Sequence, residues 1–235
     1  MKVRGQRRCK ACDTRWSYYE TGSPACPSCG SIESVGVDEE PTLHTDGAAE
    51  LDLGPARAMI GDRPTDEVAA AAQSASRSYL TARGFVAAGE LLDLDDVVLA
   101  AAELRYVGGH LRRAMAVDDA TEAYFLDLLA GGEAGDRPSA VPSALRPARG
   151  LASAEAVEAY RRDVAAWLDE HPHPEARPVL DQLRVHERRI AALDGDVRPD
   201  EADALVAVAR DLGDYLRTGD ESALVRAETR LDGLG

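Results

Sequence analysis

Cys9-Lys-Ala-Cys12 and Cys26-Pro-Ser-Cys29 place all four cysteines of this 235-residue chain within its first thirty residues, as two Cys-x-x-Cys pairs thirteen residues apart. Two residues between ligands let both sulfurs of a pair reach one ion at about 2.3 Å, and two such pairs complete the tetrahedral four-thiolate shell that zinc prefers. Four cysteines leave no open coordination position, so the spacing predicts one structural ion, Zn2+, with iron as its chemical competitor. The other use of paired cysteines, in disulfides or a redox couple, needs an oxidising compartment or a thioredoxin-like strand-helix setting. The chain opens Met-Lys-Val-Arg-Gly-Gln-Arg-Arg with no apolar segment behind the charges, and nowhere is an apolar run long enough to span a bilayer. The expectation is a reduced, cytoplasmic protein with no membrane partner. Gly30 after Cys29 accepts a positive φ more easily than Asp13 after Cys12, which predicts that the second knuckle is the better formed.

Between the pairs, Arg15 to Glu20 reads as one strand, Thr21-Gly22-Ser23-Pro24 as a turn, and Ser31 to Val37 as a further strand. With Cys9, Cys12, Cys26 and Cys29, Pro27 and Gly30 of the second pair, and the aromatic Trp16-Ser-Tyr18-Tyr19 segment, residues 1–40 resemble the zinc ribbons of archaeal transcription factor B and of many ribosomal and RNA-polymerase-associated proteins. Ribbons of this kind serve DNA, RNA and protein partners alike, so the resemblance implies a fold and a metal and leaves the activity open.

Charge is the second constraint. There are 42 acidic against 27 basic residues, a net charge of −15, and the only lysines are Lys2 and Lys10. An acidic, arginine-rich, lysine-poor chain resembles the proteins of extremely halophilic archaea. Large negative surface charge is tolerable where molar salt shortens the Debye length to about 3 Å. A GC-rich genome also exchanges lysine for arginine, but does not by itself raise Asp and Glu so far. As a whole, the chain resembles ribbon-plus-helical proteins of haloarchaea, a resemblance that implies an architecture and no activity.

Residues 1 to 30 carry six basic and two acidic residues, leaving 21 basic and 40 acidic for the remainder. A basic module therefore sits on an acidic body, and Arg7, Arg8, Lys10, Arg15, Trp16 and Tyr18 are the candidate partner contacts. Two effects limit a purely electrostatic nucleic-acid patch. Four thiolates around a divalent ion add two negative charges. Binding through about four phosphates also loses on the order of five decades of affinity between about 0.1 and 3 M salt. The aromatic residues have a competing use as the ribbon's own small core.

Residues 41–64, with three prolines and three glycines, read as a connector in which Leu43, Leu51 and Leu53 either pair as a short strand or pack on a neighbour, and His44 is a solvated loop residue. Helical periodicity begins at Thr65 and fills a first segment, 65–130, with helices over Thr65 to Gly84, Asp93 to Met115 and Asp119 to Ala130. Gly108-Gly109 is expected to kink or interrupt the second. Seven of the twenty residues from Gly131 to Gly150 are Gly or Pro, so 131–152 reads as a linker or long surface loop. A second helical segment, 153–235, holds four helices beginning near Ser153, Pro174, Pro199 and Glu221. The fold class is thus a small β zinc ribbon followed by an all-α bundle or a short helical solenoid. The solenoid reading rests on Leu212-Gly213-Asp214-Tyr215 with Gly219 and Ala223, which loosely resembles a tetratricopeptide signature.

The sequence shows no Gly-rich phosphate loop, no His-Glu-x-x-His, no nucleophile elbow and no cysteine beyond the four, and it nominates no catalytic residue. The expected function is a non-enzymatic zinc-binding adaptor whose ribbon recognises a protein, or secondarily a nucleic acid, and whose helical body mediates protein interaction. The alternative is an enzyme with an unrecognised helical catalytic domain and a ribbon that recruits substrate. A pocket of convergent polar groups would favour the enzyme and an apolar patch the adaptor.

Overall fold

A computed structural model describes residues 1–234 and shows a small N-terminal sheet with a cysteine cluster, followed by a helical body. Strands β1 (Lys2–Val3), β2 (Gln6–Cys9), β3 (Arg15–Ser17), β4 (Ser34–Gly36) and β5 (Thr42–Leu43) build the N-terminal module, with the helical turn α1 (Tyr18–Thr21) after β3. β2 is the central strand of an antiparallel sheet in the order β3-β2-β4. The strands flanking it are shorter than the sequence pattern predicts. The Tyr18 N–H still donates across to Gly5 O at 2.7 Å, but beyond it the Gly22 N–H donates to Tyr18 O at 2.8 Å and the Thr21 hydroxyl to Ser17 O at 3.0 Å, which winds Tyr18 to Thr21 into a turn of helix.

The connector does not behave as a free tether. β1 pairs antiparallel with β5, with Lys2 opposite Leu43, and Leu43, Leu51 and Leu53 are all buried in the core of the helical body. Helix α2 (Gly54–Arg57) adds the buried Ala56. His44, expected in solvent, is only 4% exposed: its Nδ1 accepts the Ala88 N–H at 3.2 Å, and its ring lies 4.7 Å from Tyr19 and 5.9 Å from Tyr18. Thr45 donates to Asp163 at 2.6 Å, and Asp46 pairs with Arg83 at 2.7 Å.

Among the described residues the body contains α3 (Thr65–Ala82), a hairpin of β6 (Val86–Ala87) and β7 (Glu90–Leu91), α4 (Asp96–Leu111), α5 (Asp119–Gly131), α6 (Arg146–Trp167), α7 (Ala176–Ala192), α8 (Pro199–Thr218) and α9 (Glu221–Asp232). Asp95, Asp118 and Asp220 cap α4, α5 and α9 by accepting backbone N–H groups of the first turn. Gly108 and Gly109 lie inside α4 without interrupting it, because they are contact points: a Cβ on Gly108 would sit 2.8 Å from Ala69 O of α3. Met115, expected on the apolar face, lies beyond the end of α4 and is fully exposed.

The largest departure concerns 131–152. α6 begins at Arg146, two turns before Ser153. Pro147 stands in its first turn, where a missing N–H costs nothing, and Gly150 stands where the loop after α7 crosses, with Gly195 O only 2.2 Å from where a Cβ would be. Residues read as breakers thus serve as a helix start and a close approach. The loop ahead of α6 is also tied down. Glu133 accepts the Leu53 N–H at 2.5 Å and pairs with Arg57, and Leu145 is fully buried.

Both helical segments share one hydrophobic core, in which α4 packs on α3 and α6, and α6 packs on α7 and α8. At the centre lies a buried ionic network. The fully buried Glu103 of α4 accepts from Arg149 Nη1 of α6 at 2.8 Å, from Arg137 at 3.4 Å and from the Tyr124 hydroxyl, while Asp203 of α8 holds Arg149 through two bonds of 3.0 and 3.1 Å. No helix among the described residues is long and apolar enough to cross a membrane.

Candidate metal centre

The two Cys-x-x-Cys segments fold into matching loops. In the first, the Cys9 N–H donates to Thr14 O at 2.9 Å and the Asp13 N–H to Cys9 O at 3.2 Å; in the second, the Cys26 N–H donates to Ser31 O and the Gly30 N–H to Cys26 O, each at 2.9 Å. Asp13 has φ 59° and Gly30 φ 72°. The expectation of a weaker first knuckle is therefore corrected. Asp13 adopts the left-handed conformation that aspartate visits more readily than most residues, and both loops close with the same pair of hydrogen bonds.

The four sulfurs converge, with all ligand atoms within 4.8 Å of one another. Cys9 and Cys29 Sγ are 3.6 Å apart, Cys12 and Cys26 3.6 Å, and Cys12 and Cys29 3.4 Å. A tetrahedron with metal–sulfur bonds of about 2.3 Å has edges of about 3.8 Å. A disulfide needs about 2.05 Å. The observed spacing fits one four-thiolate metal site and not a pair of disulfides.

The polar surroundings also suit thiolates. The Ala11 N–H donates to Cys9 Sγ at 3.3 Å, and Thr14 Oγ1 lies 3.2 Å from Cys12 Sγ. The Thr14 hydroxyl and backbone lower the Cys12 thiol to about 6. At Cys29 the Ser31 N–H acts in the same direction, but the sulfurs of Cys12 and Cys9 outweigh it and push the thiol up to about 12. Four sulfurs at this distance cannot all ionise alone, and a divalent cation removes that conflict. Cys9 and Cys26 are buried while Cys12 and Cys29 are exposed, so the site lies at the tip of the module.

Trp16 is 7% exposed and forms the module's small core with Cys9 and Cys26, its Nε1 donating to Ser23 O at 3.3 Å. Tyr18 and Tyr19 turn towards His44, and the Tyr19 hydroxyl donates to Val3 O at 3.2 Å. The aromatic segment is therefore used within the ribbon and where it joins the body. Side-chain alternation along β2 puts Arg7 and Cys9 on the metal face, where Arg7 Nε donates to Ser34 Oγ at 2.9 Å. Gln6 and Arg8 point the other way. On that outer face Arg15, Arg8 and Val35 form one row across the three strands, with Arg8 directly opposite both neighbours. Arg8, Lys10 and Arg15 are exposed and take part in no ion pair among the described residues.

A family model described as a family of unknown function (DUF7117) matches residues 1–231. No curated protein and no solved structure matches the chain.

Proposed function

The chain belongs to the DUF7117 family, ribbon and helical body together, and from that premise we propose a zinc-binding adaptor whose ribbon docks an acidic protein through its outer sheet face. The observation that carries the reading is the Arg8–Arg15 pair. Like charges directly opposite in an antiparallel pair destabilise the sheet by a few tenths of a kcal/mol, and in a chain with 42 acidic side chains no carboxylate among the described residues neutralises this pair. Val35 beside them and the exposed Val37, two residues further along the chain and so on the same face, add apolar contact area.

A protein suits this face better than a nucleic acid. Single-strand binding leans on aromatic platforms for stacking, and Trp16 and Tyr19 are engaged elsewhere. An acidic protein offers carboxylates to the guanidinium forks and apolar side chains to the valines. Zinc supports the face from behind by holding β2 in place through Cys9. The body's buried carboxylates Glu103, Glu187 and Asp211 are each held in ion pairs, with Arg149, Arg161 and Arg226 respectively, which supports a structural use for them over an acid–base one.

The test pairs metal content with partner capture. Mass spectrometry of the native protein should show one zinc per chain, and Cys26→Ser should release it; a disulfide-linked native form would refute the metal. Arg8→Glu combined with Arg15→Glu should keep zinc yet abolish recovery of the partner retained by the wild-type chain in molar KCl. Undiminished recovery would remove the outer face from the reading.

A further inference from the structure

Between α4, α6 and α7 lies a cleft of about 660 Å³, within the size range of small-molecule sites. Its lining contradicts the composition of the chain. Six arginines reach it, against three glutamates, in a protein whose acidic residues outnumber its basic ones by fifteen. Three of the six are committed: Arg83 to Asp46 and Asp95, Arg105 to Glu155, and Arg161 to Glu187. The other three, Arg162, Arg184 and Arg188, are exposed and take part in no ion pair among the described residues.

Of the glutamates, Glu155 and Glu187 are spent on Arg105 and Arg161, the second through both carboxylate oxygens at 3.0 Å. Among the described residues Glu158 is the one lining carboxylate without an ion pair, so three unpaired guanidiniums face one unpaired anion. Arg184 and Arg188 are four residues apart on α7, a like-charge spacing that weakens a helix. Solubility gives no reason for them, since carboxylates carry that task here. Val98, Ala102 and Ala154 contribute apolar and mostly small side chains to the lining, and Tyr106 presents a ring over which Arg105 lies at 4.7 Å.

We propose that this cleft binds a phosphorylated small molecule, its phosphoryl oxygens held by Arg162, Arg184 and Arg188 and its organic part resting against the apolar lining. Guanidinium forks match phosphate oxygens two at a time, and three forks around one concavity suit a multiply charged group better than a single carboxylate. The concave, apolar-lined form favours a small molecule over the phosphates of a polymer, which track along a surface. The site is independent of the ribbon and of the reading proposed for it.

Calorimetric titration of the full-length protein with inorganic pyrophosphate tests the assignment, in parallel with ADP, neutral adenosine and a single-stranded DNA oligonucleotide, in about 0.5 M and about 2 M KCl. Pyrophosphate and ADP should bind with dissociation constants on the order of 0.1 mM, and adenosine should not bind. Combining Arg162→Ala, Arg184→Ala and Arg188→Ala should weaken both at least tenfold while leaving thermal unfolding of the unliganded chain unchanged, as these exposed residues hold no partner. The corresponding triple lysine variant keeps the charge but loses the fork, and should recover only part of the affinity. No pyrophosphate binding up to about 10 mM, or binding indifferent to the triple alanine variant, would overturn the proposal. So would DNA binding that depends on these arginines in the absence of pyrophosphate binding, or full affinity in the lysine variant.

Discussion

Replacing Glu103 with Gln removes one charge from the centre of the helical body while keeping the side chain's shape. Glu103 is fully buried and accepts from Arg149, Arg137 and Tyr124, so the variant leaves two mostly buried guanidiniums facing a neutral amide. Breaking a buried pair in this way costs about 3–5 kcal/mol. The lower part of that range applies here. Arg149 keeps Asp203 at 3.0 and 3.1 Å, and Asp203 also lies 3.8 Å from Arg137, so some compensation survives. With a loss of about 3 kcal/mol, and about 2–4 °C per kcal/mol for a chain of this size, the thermal midpoint should fall by about 6–12 °C. Because the network is buried, the fall should be nearly the same in low and high KCl. Circular dichroism of thermal unfolding measures it. Glu103→Leu combined with Arg149→Met should regain much of the loss, since apolar replacement of a buried pair is often neutral. A fall of less than about 1 kcal/mol in Glu103→Gln, or a double variant no more stable than the single one, would refute the view that charge pairing inside the core carries this cost.

Gly108→Ala should destabilise by about 1–2 kcal/mol despite the better helix propensity of alanine, because the added Cβ meets Ala69 O at 2.8 Å and forces α3 and α4 apart; denaturant unfolding reads it. Burial lowers the His44 imidazole below its ordinary value near 6.5, with Asp46 opposing. Below that pH the unfolded chain takes up a proton that the folded chain refuses, so stability is lost as pH falls from about 6.5 towards the folded value. Thermal midpoints should decline over that interval in the wild type and decline less in His44→Gln; parallel curves would contradict the assignment. Raising KCl from about 0.1 M to molar levels should raise the midpoint of the full chain, since repulsion among its carboxylates is screened as the Debye length shortens, and a flat response would contradict the halophilic reading.

The legible and illegible parts of this chain divide by the range of the interactions that form them. Cys9, Cys12, Cys26 and Cys29 were readable as one site because ligand spacing is a local property. The extents of α3, α5, α8 and α9 followed closely from apolar period, which is also local. The illegible residues are those whose local meaning is reversed by a distant neighbour. Gly108 read as an interruption until Ala69 of α3 came against it, and Gly150 read as loop until Gly195 did. His44 read as solvated until Ala88 and the Tyr18 and Tyr19 rings enclosed it. Glu103 and Arg149 carry no local mark that sets them apart from the chain's other charges, and only the closure of four helices makes them a buried pair.

The same division holds for the candidate sites. The metal centre needs two short loops and is written in thirty consecutive residues. The arginine cleft is assembled from Arg162 on α6 and Arg184 and Arg188 on α7, which the sequence scatters among neighbouring carboxylates. Only packing sorts paired from unpaired charges, because burial strengthens each ion pair through its local dielectric and burial is a property of the whole fold. By itself the sequence determined the four-cysteine cluster, the helical character of the body and the sign of its net charge. The tertiary structure decided that one core unites both helical segments, that the connector is part of it, and where positive charge is left free.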